Sequence, residues 1–139
     1  MVSMSLLVFL DFDGVLRRES SPKYQLETDL VERFELWVRE QEDTHGSVEI
    51  IISSSWKDAF TLDEIRRHFG SAYLWTRIKD VTPTLVGDRS FPRYDEIIEY
   101  LKSLDIVDTP WVAIDDQRDL YPPNLENLIV VNPVEGFSR

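Results

Sequence analysis

Four short apolar runs along the chain are typical of β-strands that are buried on both faces. Each is four or five residues long, and each is bounded by polar or turn-forming residues. The runs are Leu6–Leu10, Val48–Ile52, Trp111–Ile114 and Leu128–Val131. Ala72–Trp75 is a candidate for a further, short strand. Apolar runs of this length indicate a parallel sheet that is covered on both sides.

Between these runs, apolar residues recur at the spacing of amphipathic helices. Thr28 or Asp29 is predicted to be the N-cap of the first helix. Thr61 and Glu64 predict a capping box for the second helix, which Gly70 is predicted to end. A later helix carries apolar side chains at Tyr94, Ile97, Ile98, Leu101 and Leu104. Strands that alternate with helices predict a three-layer α/β sandwich with a mostly parallel sheet.

Two carboxylates follow the first predicted strand. Asp11 and Asp13 are one residue apart, and Gly14 then allows the backbone to turn sharply. Open parallel sheets bind their ligands at this end of the strands. Because two anions beside an apolar strand are costly unless a cation or a substrate compensates them, this pair is the first candidate for a functional site.

Three serines follow the second predicted strand, at the same edge of the sheet. Hydroxyls and free backbone N–H groups ahead of a helix suit a phosphoryl oxygen. Ser53 and Ser54 are both candidates for binding phosphate, whereas Ser55 is interpreted as a helix N-cap.

A second acidic pair, Asp115 and Asp116, ends the run at Trp111–Ile114, and Asp119 follows shortly after. Mg²⁺ binds oxygen ligands and keeps waters beside one or two protein carboxylates. Without a metal, so many carboxylates at one edge of a sheet would repel and raise one another's pKa. The sequence therefore predicts a Mg²⁺ site at this edge.

Length and composition narrow the class of protein. We predict one domain over residues 1–139, because a chain of 139 residues can bury its own core. The net charge of −11 disfavours broad nucleic-acid binding, which depends on Lys and Arg contacts to phosphates. The sequence contains no cysteine, which excludes disulfides and thiolate metal sites. The N-terminal apolar run is too short to span a bilayer and lacks a basic leader, so we expect a cytoplasmic protein without a membrane partner.

The string D-F-D-G-V-L at Asp11–Leu16 resembles the first motif of the haloacid dehalogenase (HAD) superfamily of phosphohydrolases. The serines and the pair Asp115-Asp116 are similar to the second and fourth motifs. Arg93 stands where the third motif normally has a lysine, as in small uncapped HAD domains found in RNA-repair proteins. Further matches to that variant are Glu96-Ile97, Tyr100-Leu101 and Glu135-Gly136.

The resemblance implies a Rossmann-like HAD sheet and a two-step phosphoryl transfer. Asp11 would be the nucleophile that forms an aspartyl-phosphate, and Asp13 would be the general acid and base. Arg93 would offset the charge of the transferring phosphoryl group, with Arg89 and Lys102 as the alternative cations.

The resemblance also implies the ligands of phosphate and metal. Relatives carry a Thr-Ser-Trp pattern that matches Ser54, which we therefore favour over Ser53, and Gly14 is also expected at the phosphate. The implied Mg²⁺ ligands are the carboxylates of Asp11 and Asp115 and the backbone carbonyl of Asp13. Asp116 or Asp119 would bind metal-bound water or orient neighbouring groups.

Many members of the superfamily carry a cap domain over the active site. The two usual insertion points have room here only for the helices and loops of the sheet itself, so we expect no sizeable cap domain. An open site suits a phosphorylated substrate as large as a macromolecule, such as a nucleic-acid end, or a nucleotide. The alternatives are a protein phosphatase and a non-catalytic phosphate-binding or partner-binding module. The presence of both Asp11 and Asp13 argues against the second alternative.

Overall fold

Strands and helices alternate along the chain in the computed structural model, which describes residues 5–104 and 109–139. The strands in these ranges are β1 (Leu6–Leu10), β2 (Val48–Ile52), β3 (Ile78–Val81), β4 (Trp111–Asp115) and β5 (Leu128–Val130). The α-helices in the same ranges are α1 (Thr28–His45), α2 (Leu62–Phe69), α3 (Ala72–Trp75) and α4 (Pro92–Ser103). This alternation is the one that the apolar runs predict.

The five strands form one parallel sheet in the order β3-β2-β1-β4-β5. Leu10 at the end of β1 is in register with Ile52 of β2 and with Ile114 of β4. Backbone hydrogen bonds continue one residue further, from Asp11 N to Ile114 O at 3.0 Å and from Ser53 N to Leu10 O at 2.9 Å. The three central strands therefore end level with one another, and the residues that follow them share one edge.

Side chains of β1 alternate between two apolar layers, as the period of a strand requires. Leu6, Val8 and Leu10 pack in a core that includes the apolar residues of α1 and α2. Leu7 and Phe9 pack on the opposite face, where α4 contributes Ile97 and Tyr100, among others. The sheet is thus covered on both sides, which confirms the predicted three-layer α/β sandwich.

Two local predictions are wrong. Ala72–Trp75 is a single helical turn, because Ser71 Oγ accepts a hydrogen bond from Leu74 N at 3.1 Å and caps it. The third strand comes later, at Ile78–Val81. Neither Thr28 nor Asp29 is the N-cap of α1, since that position belongs to Glu27 and has no side-chain cap bond.

No cap domain is found in the part of the chain that the structure describes. The segment between β1 and β2 contains a loop and α1, and the segment between β2 and β3 contains a 3₁₀ turn (Ser55–Asp58), α2 and α3. The carboxyl edge of the sheet is therefore left open, as the sequence predicts. In the two described ranges, no helix has both the length and the apolar character needed to cross a membrane.

Candidate active site

Three carboxylates converge at the carboxyl edge of the sheet. Asp11 follows β1, Asp115 ends β4 and Asp116 follows it, and one oxygen from each lies within 4.8 Å of the others. Asp11 is 5% exposed and Asp115 is 1% exposed. Asp116 Oδ1 is buried and has no hydrogen-bond partner among residues 5–104 and 109–139. An all-oxygen donor set, with two buried carboxylates and one unused oxygen on a partly buried third, fits a hard divalent cation.

The electrostatics of this acidic cluster (Asp11, Asp115 and Asp116) indicate that it lacks compensating charge. Burial, followed by the charge of Asp115, raises the pKa of Asp11 well above its ordinary value, although Arg93 opposes this shift. Burial, followed by the neighbouring Asp115 carboxylate, raises the pKa of Asp116 to about 6. One nearby arginine does not balance three carboxylates, so a bound cation would lower these pKa values.

Arg93 of α4 is the cation that faces the acidic cluster. Its Nη1 donates to Asp11 Oδ1 at 3.3 Å and to the carbonyl of Ser53, and it lies 3.7 Å from Asp115 Oδ2. The alternatives lie elsewhere, since Arg89 is an exposed residue paired with Asp95 and Lys102 is also exposed. Of the three candidate cations, the structure brings Arg93 alone to the cluster.

The two serines that were candidates for phosphate differ in their contacts. Ser54 is the N-cap of the 3₁₀ turn, and its Oγ accepts from Trp56 N at 3.3 Å. The prediction that Ser55 is the cap is therefore wrong. Ser53 Oγ is buried and has no hydrogen-bond partner within the described parts of the chain. Since an unpaired buried hydroxyl is costly, Ser53 is the serine whose hydroxyl would gain most from a ligand oxygen, whereas Ser54 lines the cleft beside Arg93.

Asp13 lies at the rim of the site, outside the acidic cluster. Its Oδ1 accepts from Arg17 Nε at 3.1 Å and from Trp56 Nε1 at 3.2 Å, and its side chain is 44% exposed. Next to it, Gly14 has a φ of +81°, and an added Cβ would lie 2.6 Å from Asp116 Cγ. The backbone at position 14 therefore approaches the acidic cluster more closely than any side chain would allow.

Comparison with known proteins gives a family match for this chain. Residues 7–139 match the family described as the HAD domain in Swiss Army Knife RNA repair proteins. No curated protein and no solved structure shows a significant match to the chain. The family match spans nearly the whole sequence. The chain belongs to this family of HAD domains.

Family membership confirms the resemblance that the motifs suggest, and it accounts for the small α/β fold without a cap. Family membership also supports, in general terms, the assignment of the chain as a HAD-type phosphohydrolase. The buried acidic cluster of this HAD domain is able to hold a metal ion.

Two residues of this HAD domain were not expected at the site from the sequence. Tyr121 is 2% exposed, and its hydroxyl donates to Asp115 Oδ2 at 2.9 Å. Lys57 lies in the 3₁₀ turn, where its Nζ is 3.1 Å from Glu96 Oε1 of α4. A small cleft of about 250 Å³ lies between the 3₁₀ turn and α4, and Arg93 lines it. Tyr121 belongs to no periodic pattern, whereas Lys57 could have been noticed as the first cation after the serines.

Asp119, the remaining acidic candidate, is exposed and is not part of the carboxylate group that could hold a metal. Asp115 is instead held from its own loop, since Gln117 N donates to Asp115 Oδ1 at 3.1 Å. With Tyr121 on the other oxygen, both oxygens of this carboxylate are oriented by neighbours. A rigidly oriented carboxylate is the usual property of a metal ligand.

Proposed function

We propose that this HAD domain is a Mg²⁺-dependent phosphohydrolase that acts through an aspartyl-phosphate intermediate. The observation that carries this proposal is the position of Asp11. It is buried, it shares its edge of the sheet with Asp115 and Asp116, and it accepts a hydrogen bond from Arg93 at 3.3 Å. A carboxylate held between a cation and a metal-binding cluster is suited to attack a phosphoryl group without repelling it.

In the first step, an Asp11 oxygen forms a bond to phosphorus while the bond between phosphorus and the ester oxygen breaks. Asp13 donates a proton to the departing oxygen. In the second step, Asp13 takes a proton from a water molecule whose oxygen forms a bond to phosphorus. The bond between phosphorus and the Asp11 oxygen breaks, which releases inorganic phosphate and restores the Asp11 carboxylate. The location of Asp13 at the solvent-facing rim, held by Arg17 and Trp56, supports a role on the leaving-group side.

Arg93 and Ser53 are proposed to bind the phosphoryl oxygens. The Arg93 guanidinium offsets negative charge beside Asp11, and the free hydroxyl of Ser53 donates to one oxygen. Ser54 contributes through its position at the start of the 3₁₀ turn. Gly14 is proposed to supply close backbone approach, because its missing Cβ lets the Asp116 side chain lie against the backbone.

Mg²⁺ would be held by Asp11, Asp115 and Asp116, together with the backbone carbonyl of Asp13. When bound, it stabilises the charge of the transferring group as a Lewis acid. The all-oxygen donor set and the unpartnered Asp116 Oδ1 support this assignment.

The proposed substrate is an accessible phosphomonoester on a nucleic-acid end or a nucleotide. The open carboxyl edge supports a substrate that is large or extended. The family description places such domains in RNA repair proteins, which favours a phosphorylated RNA end over a phosphopeptide. The net charge of −11 argues that contact is confined to the phosphorylated end and does not extend along a strand.

The test is a phosphate-release assay with Mg²⁺ over nucleotides, oligonucleotides phosphorylated at the 3′ or 5′ end, phosphopeptides and sugar phosphates. We expect release from a nucleotide or an oligonucleotide end. Asp11→Asn is expected to abolish release, since an amide cannot be the nucleophile, while Asp119→Asn serves as an exposed control with normal activity. Wild-type turnover by a folded Asp11→Asn protein would refute the aspartyl-phosphate mechanism.

A further inference from the structure

Lys57 is a buried cation that lines the same cleft as Arg93, but it is not free to bind phosphate. Its side chain is 6% exposed. Its Nζ lies 2.9 Å from Thr82 Oγ1, 3.1 Å from the Pro83 carbonyl and 3.1 Å from Glu96 Oε1. An ammonium group has three N–H donors, and all three are engaged by these acceptors. Lys57 therefore acts on the protein and not on the substrate.

The acceptor Glu96 is a close neighbour of Arg93. The two residues are three positions apart on α4, which places them on the same face of the helix. An arginine and a glutamate at this spacing attract each other, so Glu96 competes with Asp11 for the Arg93 guanidinium. In the structure this competition is suppressed, because one Glu96 oxygen faces Lys57 and the other accepts from Leu85 N at 3.3 Å.

We propose that Lys57 is a positioning residue that occupies the Glu96 carboxylate and so leaves Arg93 directed at Asp11. In the described parts of the chain, the guanidinium of Arg93 bonds to Asp11 Oδ1 and the Ser53 carbonyl and to no Glu96 oxygen. A buried ion pair is often no more stabilising than an apolar pair of the same size. We therefore explain the Lys57–Glu96 pair by its effect on the orientation of Arg93 and not by a contribution to the stability of the fold. For its activity readout, this inference rests on the function proposed above.

The test compares Lys57→Met with the double variant Lys57→Met/Glu96→Gln. In Lys57→Met, the freed Glu96 carboxylate draws Arg93 away from Asp11, and kcat should fall by about tenfold or more, since small displacements at a reacting centre have effects of this size. In the double variant the competing charge is gone, and kcat should return to within about threefold of wild type, as expected when coupled residues are removed together. A direct role of Lys57 on phosphate predicts no such recovery.

A matched control is Arg77→Met, which removes the cation of the Arg77–Glu42 pair far from the acidic cluster. It should lower the melting temperature and leave kcat unchanged. Lys57→Met with wild-type kcat, or a double variant as impaired as Lys57→Met, overturns the proposal. If Lys57→Met does not fold because it buries an unpaired carboxylate, the double variant alone decides, and a loss of about tenfold in its kcat contradicts the proposal.

A second measurement does not depend on activity. The Nε–Hε signal of Arg93 in a ¹⁵N-correlated NMR spectrum, assigned by its absence in Arg93→Lys, should shift in Lys57→Met and return in the double variant. An unmoved signal contradicts the positioning role. A protein that hydrolyses none of the phosphorylated substrates but shows these shifts would refute the proposed function while leaving the role of Lys57 intact.

Discussion

Tyr121 and Asp115 are joined by a buried hydrogen bond of 2.9 Å, from the tyrosine hydroxyl to Asp115 Oδ2. Burial, followed by the charge of Asp115, raises the pKa of Tyr121, so this hydroxyl remains a donor at all physiological pH values. Tyr121 therefore orients a carboxylate of the acidic cluster from outside it, as the supporting shell of a metal site does.

The first prediction is that Tyr121→Phe weakens Mg²⁺ binding. The substitution removes the donor and keeps the packed ring, so Asp115 loses one of its two orienting bonds. Loss of such a supporting bond typically reduces metal affinity by about 10- to 100-fold. Isothermal titration calorimetry with Mg²⁺ measures the effect. Tyr100→Phe removes the hydroxyl of another buried tyrosine, on α4, and should leave the Kd unchanged. Equal Kd values for Tyr121→Phe and wild type would show that the Tyr121 hydrogen bond to Asp115 does not contribute to Mg²⁺ binding.

The second prediction concerns the close approach of Gly14 to Asp116. An alanine at position 14 would have a positive φ and a Cβ 2.6 Å from Asp116 Cγ. Gly70 also has a positive φ, of +62°, but an added Cβ there meets nothing within 4 Å. Gly70→Ala should therefore cost only the backbone strain of about 1–2 kcal/mol.

Gly14→Ala should cost the same strain and in addition displace Asp116, so that both unfolding free energy and Mg²⁺ affinity fall. Denaturant unfolding and Mg²⁺ titration of both variants separate the two contributions. If Gly14→Ala and Gly70→Ala behave alike in both measurements, the contact between position 14 and Asp116 contributes neither to stability nor to Mg²⁺ binding.

The central edge of the sheet was predictable because three apolar runs end in carboxylate or hydroxyl side chains. Strands that lie side by side and end level bring such residues together, and Asp11, Ser53 and Asp115 meet for this reason. Arg93 lies 82 positions after Asp11 in the sequence. No local pattern specifies that contact, and its prediction depended on the resemblance to a family.

Other features depend on tertiary packing that a single sequence does not display. Ala72–Trp75 is too short to show a period, so its apolar character was compatible with a strand or a helix, and the Ser71 cap decided for a helix. Ser53 and Ser54 are adjacent, chemically identical and equally buried, and only their hydrogen-bond partners distinguish them. The partners of Lys57 lie on two other segments and were not foreseeable from its neighbours.

The third prediction is that Arg93→Ala lowers kcat/KM by about 100-fold or more, the typical effect of removing a charge stabiliser beside a reacting group. Arg93→Lys should recover only part of this loss, since a point charge replaces a planar fork. Arg89→Ala is the matched control, because Arg89 is exposed and pairs with Asp95 at 3.2 Å. Steady-state kinetics on a hydrolysed substrate measure the series. Near-normal activity of Arg93→Ala would return the role to Arg89 or Lys102.

The fourth prediction is a pH dependence of stability that comes from Glu42. Burial raises the pKa of the Glu42 carboxyl, but hydrogen bonds from Arg77 and Tyr73 outweigh this, and its pKa lies below the ordinary value of 4.5. A lowered pKa stabilises the folded state above the ordinary value, and this stabilisation is lost as the pH falls through the folded-state pKa. Glu42→Gln should therefore cost about 1–2 kcal/mol at neutral pH and progressively less below about pH 4.

Urea unfolding at a series of pH values measures the difference in unfolding free energy between Glu42→Gln and wild type. Glu40→Gln is the control, because Glu40 lies on the same helix and is exposed. Its effect should be small at every pH. A cost of Glu42→Gln that stays constant into the acid range would contradict the contribution of the ionised pair.

The fifth prediction is that Mg²⁺ stabilises the protein and that Asp116→Asn reduces this effect. Asp11, Asp115 and Asp116 repel one another until a cation binds, and a ligand that binds the folded state stabilises it by mass action. Mg²⁺ at about 100 times its Kd should add about 2.7 kcal/mol to the free energy of unfolding and raise the Tm by several degrees relative to protein in a chelator.

Asp116→Asn removes one repelling charge, so this variant should melt higher than wild type in chelator and gain less from Mg²⁺. Asp119→Asn, at an exposed position outside the cluster, should respond to Mg²⁺ as wild type does. A wild-type Tm that is the same in Mg²⁺ and in chelator would show that these three carboxylates do not form a metal site.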